Sequence, residues 1–163
     1  MSFFKNLFGS TEAKDLTAFA NGTIVPIENV PDPVFAEKTM GEGFAILPED
    51  GKIYSPADGT IFSVYPTGHA ICMEDNEGRQ LLLHMGLETA ALNGDGFRLS
   101  VQEGSKVKAG DLLVEMDQDF IKSKGLNDIA ILVLTNSNDF SAPTLLKTGE
   151  VKAGEPVFHT EKN

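Results

Sequence analysis

The sequence has one cysteine, no cluster of basic residues and no apolar run long enough to cross a bilayer, and each shortage removes a class of function. With Cys72 alone, neither an intramolecular disulfide nor a cysteine-cluster zinc site can form, and a reducing cytoplasm is the natural compartment. Cys72 itself reads as a small core residue. Lys and Arg total 13 against 24 Asp and Glu, a formal charge of −11. Nucleic acid is therefore excluded as a partner, because binding its backbone needs clustered cations. The acidic balance suits a basic protein partner or a solvated surface, and charge alone does not separate the two. A membrane-spanning helix needs roughly 18 to 20 consecutive apolar residues, which this chain lacks. The opening stretch MSFFKNLFGS also lacks the basic n-region and small-residue cleavage site of an export signal.

What is present is a chain of 163 residues, 41% hydrophobic and without a long polar tract. That is enough for one domain that buries about two-thirds of its surface without staples. Phe3, Phe4, Leu7 and Phe8 fall on one helical face. The pattern suits weak, reversible contact of residues 1–9 with the inner face of a membrane, docking on the domain, or disorder. Residues 10–20 read as a linker, so the division is an N-terminal segment and linker over 1–17 and a single domain over 18–163.

Nine short segments read as strands: GTIVPI, FAILP, KIYSP, GTIFSVY, HAICME, QLLLHM, DLLVEMD, IAILVL and EPVFHT. Turn residues separate them, which predicts an all-β fold, an antiparallel β-sandwich or barrel with very short helices. The best helix begins at Asp119 and stops at Gly125. Two internal echoes, ANGTIVPI with ADGTIFSV and EGSKVKAGDLLVEMD with TGEVKAGEPVFHT, predict strand-turn-strand units used twice in one sheet system.

Two of the three histidines lie in GHAICMEDNEGRQLLLHMGLET. A turn centred on Asn76 and Glu77 sets His69 opposite His84, Glu74 opposite Arg79 and Met73 opposite Gln80, which brings the two imidazoles into contact. A three-residue loop, Asn76-Glu77-Gly78, slips the register by one and sends the rings to opposite faces. Same-face pairing is the favoured expectation. Burial and mutual repulsion then hold both rings neutral near pH 7, as nucleophiles or ligands.

Two chemistries fit such a pair. In phosphoryl transfer, one ring attacks phosphorus while the other donates a hydrogen bond to the transferring oxygens, its tautomer fixed by a neighbour such as Thr67. In a zinc metallohydrolase, the pair ligates Zn²⁺ and a carboxylate such as Glu88 completes the site. A hydrolytic zinc site generally needs three protein ligands, and nothing in the sequence brings His159 close, so phosphoryl transfer leads. A Cys72–His69 thiol dyad is set aside because their odd separation points them to opposite strand faces.

The runs GRQLLLHMGLETAALNGDGF, VPDPVFAEKTMGEGFAILP, SPADGTI and EGSKVKAGDLL, in that family's order over about residues 18 to 160, resemble the glucose-type enzyme IIA component of the bacterial phosphoenolpyruvate:sugar phosphotransferase system. The resemblance implies an antiparallel β-sandwich that accepts a phosphoryl group from the histidine-containing phosphocarrier protein. It then passes the group to a cysteine on the IIB domain of a sugar transporter. His84 matches the phosphorylated histidine, with Nε2 as the acceptor, His69 the supporting histidine and Thr67 the residue that orients it. The family's apolar depression with acidic residues points to Val30, Val34, Phe35, Ile71 and Leu82, with Asp32 and Glu88 as the charges that meet a partner's arginines. No cofactor and no resident metal are implied, and the family analogy leaves open a Zn²⁺ shared by His69, His84 and a partner's carboxylate. Glu88, Pro33 and Leu82 depart from common family residues, which bears on partner preference and leaves the histidine chemistry unchanged. With no IIB or IIC sequence attached, a stand-alone cytoplasmic component is expected. A biotin- or lipoyl-type carrier is the non-enzymatic alternative, and neither Lys106 nor Lys108 has the setting of a modified lysine.

Overall fold

A computed structural model describes residues 14–163. The first half of the described chain runs β1 (Leu16–Thr17), β2 (Gly22–Pro26), α1 (Pro33–Ala36), β3 (Glu42–Pro48), β4 (Lys52–Tyr54), β5 (Gly59–Val64), β6 (Ala70–Asp75) and β7 (Gln80–Met85). The second half holds β8 (Phe97–Leu99), β9 (Lys106–Val107), β10 (Leu112–Met116), α2 (Gln118–Ser123), β11 (Ala130–Leu134), β12 (Thr144–Leu145), β13 (Gly149–Val151) and β14 (Pro156–His159). All nine segments expected as strands form strands. The extra ones, β1, β8, β9, β12 and β13, are two or three residues long, too short for alternation to show in sequence.

One eight-stranded sheet runs β13-β2-β3-β11-β7-β6-β5-β9, and two three-stranded sheets, β1-β14-β12 and β4-β10-β8, complete the fold. The sequence echoes occupy matching places. β2 pairs with β13 at one edge of the large sheet and β5 with β9 at the other, setting Gly22 against Val151 and Gly59 against Val107. The two halves meet at the antiparallel β7–β11 pair, which includes His84 opposite Ile131.

Alternation along the central strands sorts their side chains into two layers. Ile71, Met73, Leu81, Leu83 and Met85 point inward to the main core with Phe19, Phe44 and Phe158. Ala70, Leu82, Ile131 and Val133 point outward, into a second apolar cluster roofed by Ile27, Val30 and Phe35. His84 stands on this outer face, because it follows the phase of Leu82.

Three local expectations are corrected. The described part of the linker, residues 14–20, includes a strand: Leu16 pairs with Phe158, and Leu16, Ala18, Phe19 and Ala20 are fully buried. The membrane-contact pattern of residues 1–9 lies outside the described residues. The second helix starts earlier than Asp119, because the Asp117 carboxylate caps it by accepting from the Phe120 N–H at 3.0 Å.

The register of the β6–β7 hairpin is the third. Ala70 faces His84, Ile71 faces Leu83, Met73 faces Leu81 and Glu74 faces Gln80, so Arg79 pairs with Asp75 rather than Glu74. Gly78 sits at φ 82°, the left-handed geometry that closes a three-residue loop. Asp75 locks that loop. Its carboxylate accepts from the Glu77 N–H (2.9 Å), the Arg79 N–H (2.8 Å) and Arg79 Nε (2.6 Å), and both side chains are 1% exposed.

Helix α1 was not expected, although Asp32-Pro33 is a start signal, a capping carboxylate followed by proline at the first helical position. Asp32 Oδ1 accepts from the Val34 N–H at 3.0 Å. An Asp32→Ala variant should lose about 1 kcal/mol of stability, read as a lower denaturant midpoint with an unchanged slope. The wild-type midpoint in that variant would show that the cap is not needed.

Candidate functional site

In the observed register His69 stands opposite Met85, which donates its N–H to the His69 carbonyl at 2.7 Å. Regular alternation would then turn the His69 side chain inward. Instead the chain leaves the strand. The Met85 carbonyl accepts from Thr89 Oγ1 (2.5 Å), and residues 65–70 form a tight loop. In that loop the Tyr65 N–H donates to the Ala70 carbonyl (3.0 Å), the Gly68 N–H donates to the Tyr65 carbonyl (2.7 Å), and Gly68 has φ 71°. His69 emerges on the outer face beside His84, with ring centroids 5.1 Å apart and planes at 79°. The rings meet because of the loop, in the register that on a regular ladder would have kept them apart.

The hydrogen bonds assign the proton on His84. Its Nδ1 lies 2.8 Å from the Gly86 carbonyl oxygen, which can only accept, so Nδ1 carries the hydrogen and the neutral ring keeps its lone pair on Nε2. The Gly86 N–H is itself tied to the Ile129 carbonyl (2.8 Å), which fixes the accepting group. His69 Nδ1 is hydrogen-bonded to Thr67 Oγ1, a hydroxyl able to donate or accept. His69 is 6% exposed.

Burial holds His69 below the ordinary imidazole pKa. For His84 burial is also the largest cause of a lowered pKa; the Gly86 bond opposes it, the neighbouring His69 adds to it, and Asp32 opposes it. His159 moves the other way, raised chiefly by its hydrogen bond to Asp15, 2.6 Å away. An imidazole NMR titration should therefore place His69 and His84 below the free value of about 6.5 and His159 above it. For the buried pair the unfolded chain binds protons first, so their contribution to stability is lost as pH falls through about 6.5. Titration of His84 above the free value would contradict this environment.

Of the residues matched to the family's depression, Val30, Phe35 and Leu82 are buried in the outer cluster, and the Phe35 ring packs on His84 at 5.2 Å. Val34 is exposed, Asp32 half-buried and Glu88 exposed. Ile71 is a correction: at 0% exposure it belongs to the inner core and offers no surface to a partner. Sequence reasoning missed Tyr65, whose ring meets His69 edge-on at 5.4 Å, and the Gly86 carbonyl. The aromatic residue immediately before Pro-Thr-Gly-His was the available signal for Tyr65. Burial raises the pKa of the Cys72 thiol and so disfavours its thiolate. Among the described residues no group of three or more His, Cys, Asp or Glu side chains is placed to hold a metal ion, so the hydrolase alternative lacks its third ligand.

Comparison with known proteins gives a consistent result. The family model described as phosphoenolpyruvate-dependent sugar phosphotransferase system, EIIA 1, matches residues 14–140. The chain is 41% identical to the PTS system glucose-specific EIIA component of Halalkalibacterium halodurans, covering 98% of each chain. It is 42% identical to the protein of the same name in Haemophilus influenzae, covering 96% of each. A PTS system N-acetylglucosamine-specific EIICBA component of Klebsiella pneumoniae is 42% identical over 91% of this chain, which spans 23% of that longer protein. The solved structure of glucose permease IIA from Mycoplasma capricolum superposes with a TM-score of 0.81 at 34% identity, covering 97% of this chain and 98% of that one. The chain belongs to the EIIA family of the phosphoenolpyruvate-dependent sugar phosphotransferase system, proteins that relay phosphoryl groups in sugar uptake.

Proposed function

We propose that His84 Nε2 is the phosphoryl acceptor, that the histidine-containing phosphocarrier protein is the donor, and that the IIB domain of a sugar transporter is the next acceptor. The observation that carries this reading is the Gly86 carbonyl on His84 Nδ1, which leaves Nε2 as the nucleophilic atom beside a second neutral imidazole. The donor's P–N bond breaks as the bond to Nε2 forms, and the proton stays on Nδ1, donated to the Gly86 carbonyl. His69 donates from Nε2–H to the transferring oxygens, which requires Thr67 to donate its hydroxyl to Nδ1. The P–N bond on His84 stays reactive, so a cysteine sulfur on the IIB domain takes the group in the second step.

Val34 supplies exposed apolar surface next to Phe35, the ring that packs on His84, and Asp32 and Glu88 face basic residues of the two partners. Val30, Phe35 and Leu82 support that surface from beneath. The proposal places the chain in the cytoplasm, with residues 1–9 making weak contact with the inner face of the membrane where the transporter resides.

Incubation with phosphoenolpyruvate and the two upstream phosphotransfer proteins should add one phosphoryl group, labile in acid and stable in base, by intact-protein mass spectrometry. Adding a IIB domain should remove it. A protein that takes up no phosphoryl group under those conditions would overturn the reading.

A further inference from the structure

Tyr65 is a large ring left 44% exposed, yet the histidine it covers is almost fully buried. His69 lies in a surface loop where Pro66 is exposed and Thr67 half-buried, so that burial needs a local cause. Two rings flank the imidazole. Tyr65 and His69 stand edge-on, with centroids 5.4 Å apart and planes at 81°, and His84 meets the other flank at 5.1 Å and 79°. With Phe35 on His84 at 5.2 Å, the sequence Tyr65–His69–His84–Phe35 forms an unbroken row of four rings with an aromatic residue at each end. Tyr65 is also held by its backbone, through the bonds that close the 65–70 loop. Its main chain is therefore anchored beside the histidine, and its ring rests on the imidazole edge.

We propose that Tyr65 is a positioning residue for phosphoryl transfer, a bookend that fixes the orientation and tautomer of His69. The proposal rests on the relay reading of His69 and His84. Thr67 engages one nitrogen only, and that single hydrogen bond restrains rotation about Cβ–Cγ without fixing it. An edge-on aromatic neighbour removes that freedom and excludes the water that would compete for the imidazole protons. The hydroxyl of Tyr65 has no part in this, so phenylalanine should serve equally.

The experiment compares Tyr65→Ala and Tyr65→Phe with the wild type in the full chain. Tyr65→Ala should still be labelled on His84 but should transfer to a IIB domain about five- to tenfold more slowly, the loss expected for one aromatic pair. Imidazole ¹⁵N spectra of the unphosphorylated protein, with no partner present, should show one His69 tautomer in the wild type and Tyr65→Phe, and a tautomer mixture in Tyr65→Ala. Slow transfer with an unaltered His69 spectrum would make Tyr65 a docking residue and overturn the proposal; so would unaltered transfer, or failure of phenylalanine to restore both readouts. Failure of the relay reading shows separately, as label that persists in His84→Gln.

Discussion

Replacing His84 with glutamine abolishes phosphoryl labelling by the upstream donor, a loss of roughly a thousandfold or more, in line with removal of a nucleophile elsewhere. Glutamine approximates the reach of the imidazole but has no basic nitrogen, since its amide lone pair is delocalised. The other two histidines do not substitute. His69 has its Nδ1 engaged by Thr67 and is 6% exposed, whereas His159 is tied to Asp15 at the β1–β14 pair. The variant should fold normally, because His84 sits half-buried on the outer face while the inner core around Phe44 and Leu83 is untouched. Intact-mass spectrometry of the folded variant after incubation with donor is the check, and a remaining stoichiometric label would assign the chemistry to another residue.

His69→Gln should separate acceptance from delivery. The variant takes up the phosphoryl group, because Nε2 of His84 and its Gly86 partner are unchanged. Onward transfer to a IIB domain falls by about a hundred- to a thousandfold, the usual cost of removing a preorganised donor to a developing negative charge. With Thr67 donating to its Nδ1, the neutral His69 ring presents a fixed Nε2–H to the oxygens of the phosphoryl group as charge develops on them. A glutamine amide has no such bond to hold it in that orientation. Single-turnover transfer from the prelabelled variant measures the effect, and wild-type delivery would show that His69 has no supporting role.

The sequence specified the fold well wherever strands were long enough to alternate. β2 to β7, β10, β11 and β14 all fall where turn residues and apolar runs place them. The echoed segments, read as strand-turn-strand units used twice in one sheet system, place β9 and β13 at the two edges of the large sheet, but their following strands β10 and β14 fall in the two smaller sheets. The two-residue strand β1 could not be read this way, because its burial depends on β14, more than a hundred residues later in the chain. Register was the harder quantity. Gly78 argued for the three-residue loop, and the buried Asp75–Arg79 pair that stabilises it was not recognisable when Glu74 offered the same charge one residue earlier.

The fate of Ile71 and Tyr65 follows from that slip. Counting by twos from His69 puts Ile71 on the site face, but the 65–70 loop breaks the count at His69, so Ile71 turns inward and Tyr65 takes the place beside the ring. The meeting of the two histidines was anticipated from spacing, whereas its cause, a loop around Gly68, lies outside the strand pattern. The accepting carbonyl of Gly86 is a backbone group, which no side-chain motif reveals.

The atom that carries the phosphoryl group is the most direct test. ¹⁵N and ³¹P NMR of the labelled protein should place phosphorus on His84 Nε2, with the Nδ1 proton still present and bonded to the Gly86 carbonyl. Phosphorus on Nδ1 of that ring, or on His69, would contradict the relay proposed for this pair of imidazoles.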